Sequence, residues 1–115
     1  MFEQGDIIIL PIPFTDLTSN KKRPAIVISK KEYNNITDDI VVMAITSNIT
    51  TKEHCINLNS KDLKHGFLLA DSQVRADKIY TISQTIVIKK LGSVKDYIID
   101  SIKNCITNIF DIHCK

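Results

Sequence analysis

The period of the apolar residues changes once along this chain, and that change constrains its fold more than any motif does. Up to Lys89 the apolar residues come in short runs dense in isoleucine and valine, such as Ile7-Ile8-Ile9-Leu10, Ala25-Ile26-Val27-Ile28 and Ile40-Val41-Val42-Met43. Short β-branched runs bounded by polar turn formers read as strands. From Val94 onward the spacing is different: Val94, Ile98, Ile102, Cys105, Ile106 and Ile109 make one apolar stripe at helical intervals. Strands followed by a single terminal helix exclude a doubly wound α/β fold, where the two alternate. They predict a mainly β domain, a small twisted barrel or antiparallel sheet with a C-terminal helix packed against it.

The expected strands cover residues 6–12, 24–29, 40–46, 55–58, a stretch within 68–80, and 85–89. The polar stretch around Asn34, Asn35, Asp38 and Asp39 reads as a connection, and residues 61–66 as a turn or one helical turn. Gly92-Ser93 is expected to open the helix, with Ser93 as its cap and Asp96 three residues on, where Glu or Gln is usual. No linker or repeat divides the 115 residues, so residues 1–115 form one domain.

Composition narrows the chemistry. A net charge of +2 is compatible with a local basic face without requiring one. No apolar run approaches the roughly 18 residues of a membrane span, and Glu3 and Asp6 stand where a secretory leader would be basic. A cytoplasmic protein without membrane contact is expected. Cys55, Cys105 and Cys114 are odd in number and show no C-x-x-C spacing, which suits reduced thiols. His54, His65 and His113 lack metal-ligand spacing with the cysteines or carboxylates, so neither a metal nor a cofactor is expected. There is no glycine-rich phosphate cradle and no nucleophile elbow.

What remains is a set of polar residues at strand ends. Lys21-Lys22-Arg23-Pro24 places three cations at the mouth of the second strand. Pro24 biases Arg23 to an extended conformation, so its guanidinium is aimed, and a fixed guanidinium suits a phosphodiester. Thr46-Ser47-Asn48 ends the third strand with two hydroxyls and an amide, and Gln73-Val74-Arg75 puts an amide and a second guanidinium on one face of the fifth. Each has a plainer explanation alone: a basic surface turn, a turn initiator, and an ion pair of Arg75 with Asp71 or Asp77.

Taken together, Gly5-Asp6-Ile7, Pro13-Phe14-Thr15-Asp16-Leu17, Lys22-Arg23-Pro24-Ala25-Ile26-Val27-Ile28-Ser29, Ile45-Thr46-Ser47-Asn48 and Ser72-Gln73-Val74-Arg75-Ala76-Asp77-Lys78 resemble, in order and spacing, the MazF/PemK toxins. The resemblance implies an SH3-like barrel of the type shared with the CcdB gyrase poisons. It implies a homodimer and a metal-independent endoribonuclease that cuts single-stranded mRNA. It also implies a cognate antitoxin with an acidic tail, DNA being reached only through that antitoxin. Carried over residue by residue, Arg23 and Thr46 would be the catalytic pair. Lys21, Lys22, Ser47, Asn48, Gln73 and Arg75 would contact RNA, with the loops 13–20 and 47–54 choosing bases. Two departures are visible. Ala70 and Ser72, flanking Asp71, replace an Arg-x-Asp acid–base pair found in some relatives, and Thr18, Ser19 and Asn20 occupy a loop where some place a histidine. Two other activities share the fold: gyrase poisoning through the end of the C-terminal helix (Ile109–His113), and antitoxin binding without catalysis, acting in repression.

Overall fold

The computed structural model describes residues 2–11, 22–52 and 54–110. Along these the chain forms β1 (Asp6–Leu10), β2 (Arg23–Val27), a short helix α1 (Lys31–Ile36), β3 (Asp39–Thr46) and β4 (Cys55–Leu58). There follow β5 (Leu63–Gly66), β6 (Ser72–Ser83), β7 (Lys89–Val94) and the C-terminal helix α2 (Asp96–Phe110). The strands form one curled seven-stranded sheet in the order β4-β6-β3-β2-β1-β7-β5, and every neighbouring pair is antiparallel. The mainly β domain with a terminal helix is as expected.

Strand alternation sorts the apolar side chains into two cores. Ile7, Ile26, Met43, Ile45, Leu58, Val74 and Ala76 point to one face and pack beneath Ile98 and Ile102 of α2. Ile8, Leu10, Ala25, Val27, Ile40 and Val42 point to the other, with Tyr80, Ile82 and Val87 against them. Because both faces are covered, β1, β2 and β3 read as nearly continuous apolar runs. Truncating a fully buried member such as Ile26 to alanine costs about 2–5 kcal/mol.

The helix is tied down at its start. Asn59 and Asp62 cap a 3₁₀ turn over residues 60–62 reciprocally, the Asp62 carboxylate accepting from the Asn59 amide at 2.9 Å. The Tyr97 hydroxyl of α2 donates to that same buried carboxylate, which raises the phenol's pKa, and the Lys95 amide donates to the Asp62 carbonyl at 2.8 Å.

Four segments differ from expectation. Residues 31–36 form α1, whose polar sequence hides a buried Asn34; its side-chain amide donates to the carbonyls of Phe2 and Ser29. The expected turn at 61–66 is half strand, since Leu63–Gly66 pairs with β7. The strand expected at 85–89 begins only at Lys89, after a 3₁₀ turn at 84–86. Gly92 and Ser93 therefore lie inside β7 and do not open the helix. Gly92 is required by proximity: a Cβ there would sit 2.2 Å from the His65 carbonyl oxygen of β5.

Candidate functional site

Arg23 begins β2, where Pro24 withholds an amide hydrogen from either neighbouring strand. The β2–β3 ladder runs Val27↔Val42, Ile26↔Met43, Ala25↔Ala44. Continued outward by two residues, that register sets Arg23 across from Thr46, at the same end of the sheet. Both side chains share the face that carries Ala25, Val27 and Val42, on the side away from α2. The row extends further, because Thr46 pairs with Gln73 of β6 and Gln73 with Asn57 of β4. Thr46, Gln73 and Asn57 thus form one lateral row of polar side chains across three strands, and the continued β2–β3 register adds Arg23 at its end.

Arg23 is partly buried, and its Nε is shielded from solvent without a hydrogen-bond partner among the described residues. A desolvated guanidinium nitrogen left unpaired is costly in a folded chain, which marks the group as poised for an anionic partner. Thr46 is held differently. Its Oγ1 accepts from the Asn48 amide at 3.1 Å, and the hydroxyl proton has no acceptor among the described residues. Ser47, Asn48 and Lys22 are exposed beside this pair. Lys21 and the first loop, 13–20, lie outside the described residues.

Gln73 and Arg75 are brought to the same face but are already engaged. Gln73 is buried, and its amide bonds to both polar groups of the Thr50 peptide and to Asn57. Arg75 makes a bidentate contact with Asp77, Nε to Oδ1 at 2.9 Å and Nη2 to Oδ2 at 2.8 Å. This pairing raises the pKa of Arg75 and lowers that of Asp77. His54 Nε2 lies 3.3 Å from the same Asp77 oxygen, within ion-pair reach but without hydrogen-bond alignment. Among the described residues no cluster of three or more His, Cys, Asp or Glu is arranged to hold a metal ion. No helix among them is long and apolar enough to cross a membrane.

Thr50 and Asn57 were not singled out by sequence reasoning. The only available signal was alternation in Cys55-Ile56-Asn57-Leu58, which turns Asn57 away from the core but gives no cross-strand partner.

A curled antiparallel sheet with one terminal helix describes a recognised class. The sequence profile of the PemK-like, MazF-like toxins of type II toxin-antitoxin systems matches residues 3–110. The chain belongs to that family. Solved structures agree on the fold. An endoribonuclease in complex with its cognate antitoxin from a mycobacterial species superposes with a TM-score of 0.80 at 18% identity, over 100% of both chains. The Mycobacterium tuberculosis toxin MazF-mt6 gives 0.78 at 17% identity, covering 95% of this chain and 99% of that one. A MazE–MazF complex from Deinococcus radiodurans gives 0.79 at 16%, over 97% and 98%. No curated protein matches the chain.

Proposed function

We propose that this toxin is an endoribonuclease that cleaves single-stranded RNA without a metal ion, using Arg23 and Thr46. The observation that supports the reading is that the β2–β3 register, continued two residues past Ala25↔Ala44, brings Arg23 and Thr46 to the same end and face of the sheet, Arg23 Nε being buried and without a partner among the described residues. RNA supplies its own nucleophile. The 2′-oxygen attacks the adjacent phosphorus, the bond to the 5′-oxygen breaks, and the net proton transfer runs from the 2′- to the 5′-oxygen. The products are a 2′,3′-cyclic phosphate and a 5′-hydroxyl end. Negative charge grows on the non-bridging oxygens during this step. Arg23 neutralises it from a fixed position and Thr46 donates to the same phosphate, so little reorganisation is needed. Lys21, Lys22, Ser47 and Asn48 line the strand in this reading, the lysines giving salt-sensitive binding. Gln73 and Arg75, expected as RNA contacts, are engaged by Thr50, Asn57 and Asp77 and act behind that surface.

The same reading assigns the chain a homodimeric state in the cytoplasm and a cognate antitoxin as its partner, with DNA contacted only through that antitoxin. Antitoxin complexes among the structural relatives support the partner assignment. A protein-binding alternative has one observation in its favour: Ile109 and Phe110 at the end of α2 are 41% and 58% exposed, not packed in a core. One experiment separates the two. Incubated with a long unstructured RNA in EDTA, the wild-type protein should cut it and Arg23→Ala should not. An inert wild-type protein that inhibits gyrase would instead establish the poison.

A further inference from the structure

The Gln73 side chain behaves like an extra strand step. Its Oε1 accepts from the Thr50 amide at 2.9 Å, and its Nε2 donates to the Thr50 carbonyl at 2.7 Å. The second Nε2 hydrogen goes to Asn57 Oδ1 at 2.9 Å and Oε1 also accepts from the Thr50 hydroxyl at 3.5 Å, so the amide is fully used. Gln73 is only 3% exposed, and an apolar side chain of similar volume would fill its place on the sheet. What the amide adds is the position of Thr50. The segment leaving Thr46 is therefore pinned twice within four residues, by Asn48 on Thr46 Oγ1 and by Thr50 on Gln73. Between the pins, Ser47, Asn48 and Ile49 point into solvent, Ile49 at 52% exposure.

We propose that Gln73, oriented by Asn57, is a positioning residue that fixes segment 47–50 so that Asn48 and Ile49 select the base flanking the scissile phosphate. The inference rests on the nuclease reading above and assigns the substrate-facing work to the segment, not to Gln73 itself. Asn48 presents an amide to a base edge and Ile49 an apolar shelf to a base face, which is how splayed single-stranded bases are read. Held rigidly, such contacts discriminate; loosened, they adapt to any base, and the ordering cost falls on binding.

The test compares the wild type with Gln73→Met, Asn57→Ala and Asn57→Asp. Product ends from a long unstructured RNA are mapped, and kcat and KM are measured on the preferred site. Gln73→Met should still cut RNA, but the kcat/KM ratio between preferred and next-best sites should fall about tenfold, through KM more than kcat. Asn57→Ala removes one of the four bonds of the Gln73 amide, at an exposed position, and should shift the ratio the same way, about threefold. Asn57→Asp keeps the acceptor for Gln73 Nε2. Its added charge weakens all sites alike, so its ratio should match wild type. Wild-type selectivity in a folded Gln73→Met, or a loss of kcat with selectivity unchanged, would overturn the proposal. If Gln73→Met does not fold, Asn57→Ala decides, and an unchanged ratio there overturns it equally. A wild-type protein inert toward RNA would sink the nuclease reading first and this inference with it.

Discussion

Two arginines on one face of the sheet have opposite fates, and the difference locates the chemistry. Arg23, at the start of β2, has a buried Nε with no partner among the described residues. Arg75, on β6, gives two of its nitrogens to Asp77. Both are guanidiniums on strands, and both alternate with core residues, Arg23 beside Ala25 and Val27 on β2, Arg75 between Val74 and Ala76 on β6. A guanidinium already forked onto a carboxylate must lose that partner before it can clamp a phosphate, whereas a desolvated Nε without a partner among the described residues gains from the encounter. Under the proposed function, availability is what assigns catalysis to Arg23 and a structural role to Arg75.

The widest gap should appear on removal of each side chain. Arg23→Ala should lower kcat for RNA cleavage about 10²–10³-fold, and Arg23→Lys nearly as far, because an ammonium lacks the planar fork. Arg75→Ala should change cleavage less than about threefold, since the charge it removes is compensated by Asp77. A large loss in Arg75→Ala would break the contrast. Thr46 refines it next: Thr46→Ala should cost about tenfold to a hundredfold in kcat, while Thr46→Ser, which keeps the donor, should stay within a few-fold of wild type.

Releasing Arg75 tests the contrast from the other side. Asp77→Asn frees the guanidinium, so RNA affinity at low salt should rise a few-fold. The slope of log K against log salt should steepen by about 0.7, one more phosphate contact on a single strand. The smallest effect concerns pH. Arg75 holds the Asp77 carboxyl below the usual carboxylate range, so its folded pKa is lower than its unfolded one. The stability from this pair is present above the ordinary aspartate value of about 3.9 and is lost as pH falls through the folded value. Thermal melts from pH 5 downward should show the wild type declining more steeply than Asp77→Asn, by a margin that solvent screening keeps small.

Much of the fold was legible because both faces of the central strands are apolar, and β-branched runs such as Ile40–Met43 have no other use. The end of β7 was misread because Gly92-Ser93 looks like a helix opener. Its glycine answers to the backbone of β5, a neighbour distant in sequence. Helix α1 was missed because six residues show too little periodicity. At the site, residue types at strand ends were readable one by one. Their relation was not: the alignment of Arg23 with Thr46, and of Gln73 with Asn57, depends on cross-strand register. The saturation of Arg75 was one of two pairings its neighbours offered, and only geometry selects Asp77.

The central claim is that Arg23 and Thr46 act on one phosphate. A double-mutant cycle on kcat/KM with Arg23→Ala, Thr46→Ala and the double variant tests it most directly. Groups working on the same developing charge should be coupled, so the double variant should lose at least about tenfold less than the product of the two single losses. Strictly multiplicative losses would mean that the two side chains act independently, and would contradict the account.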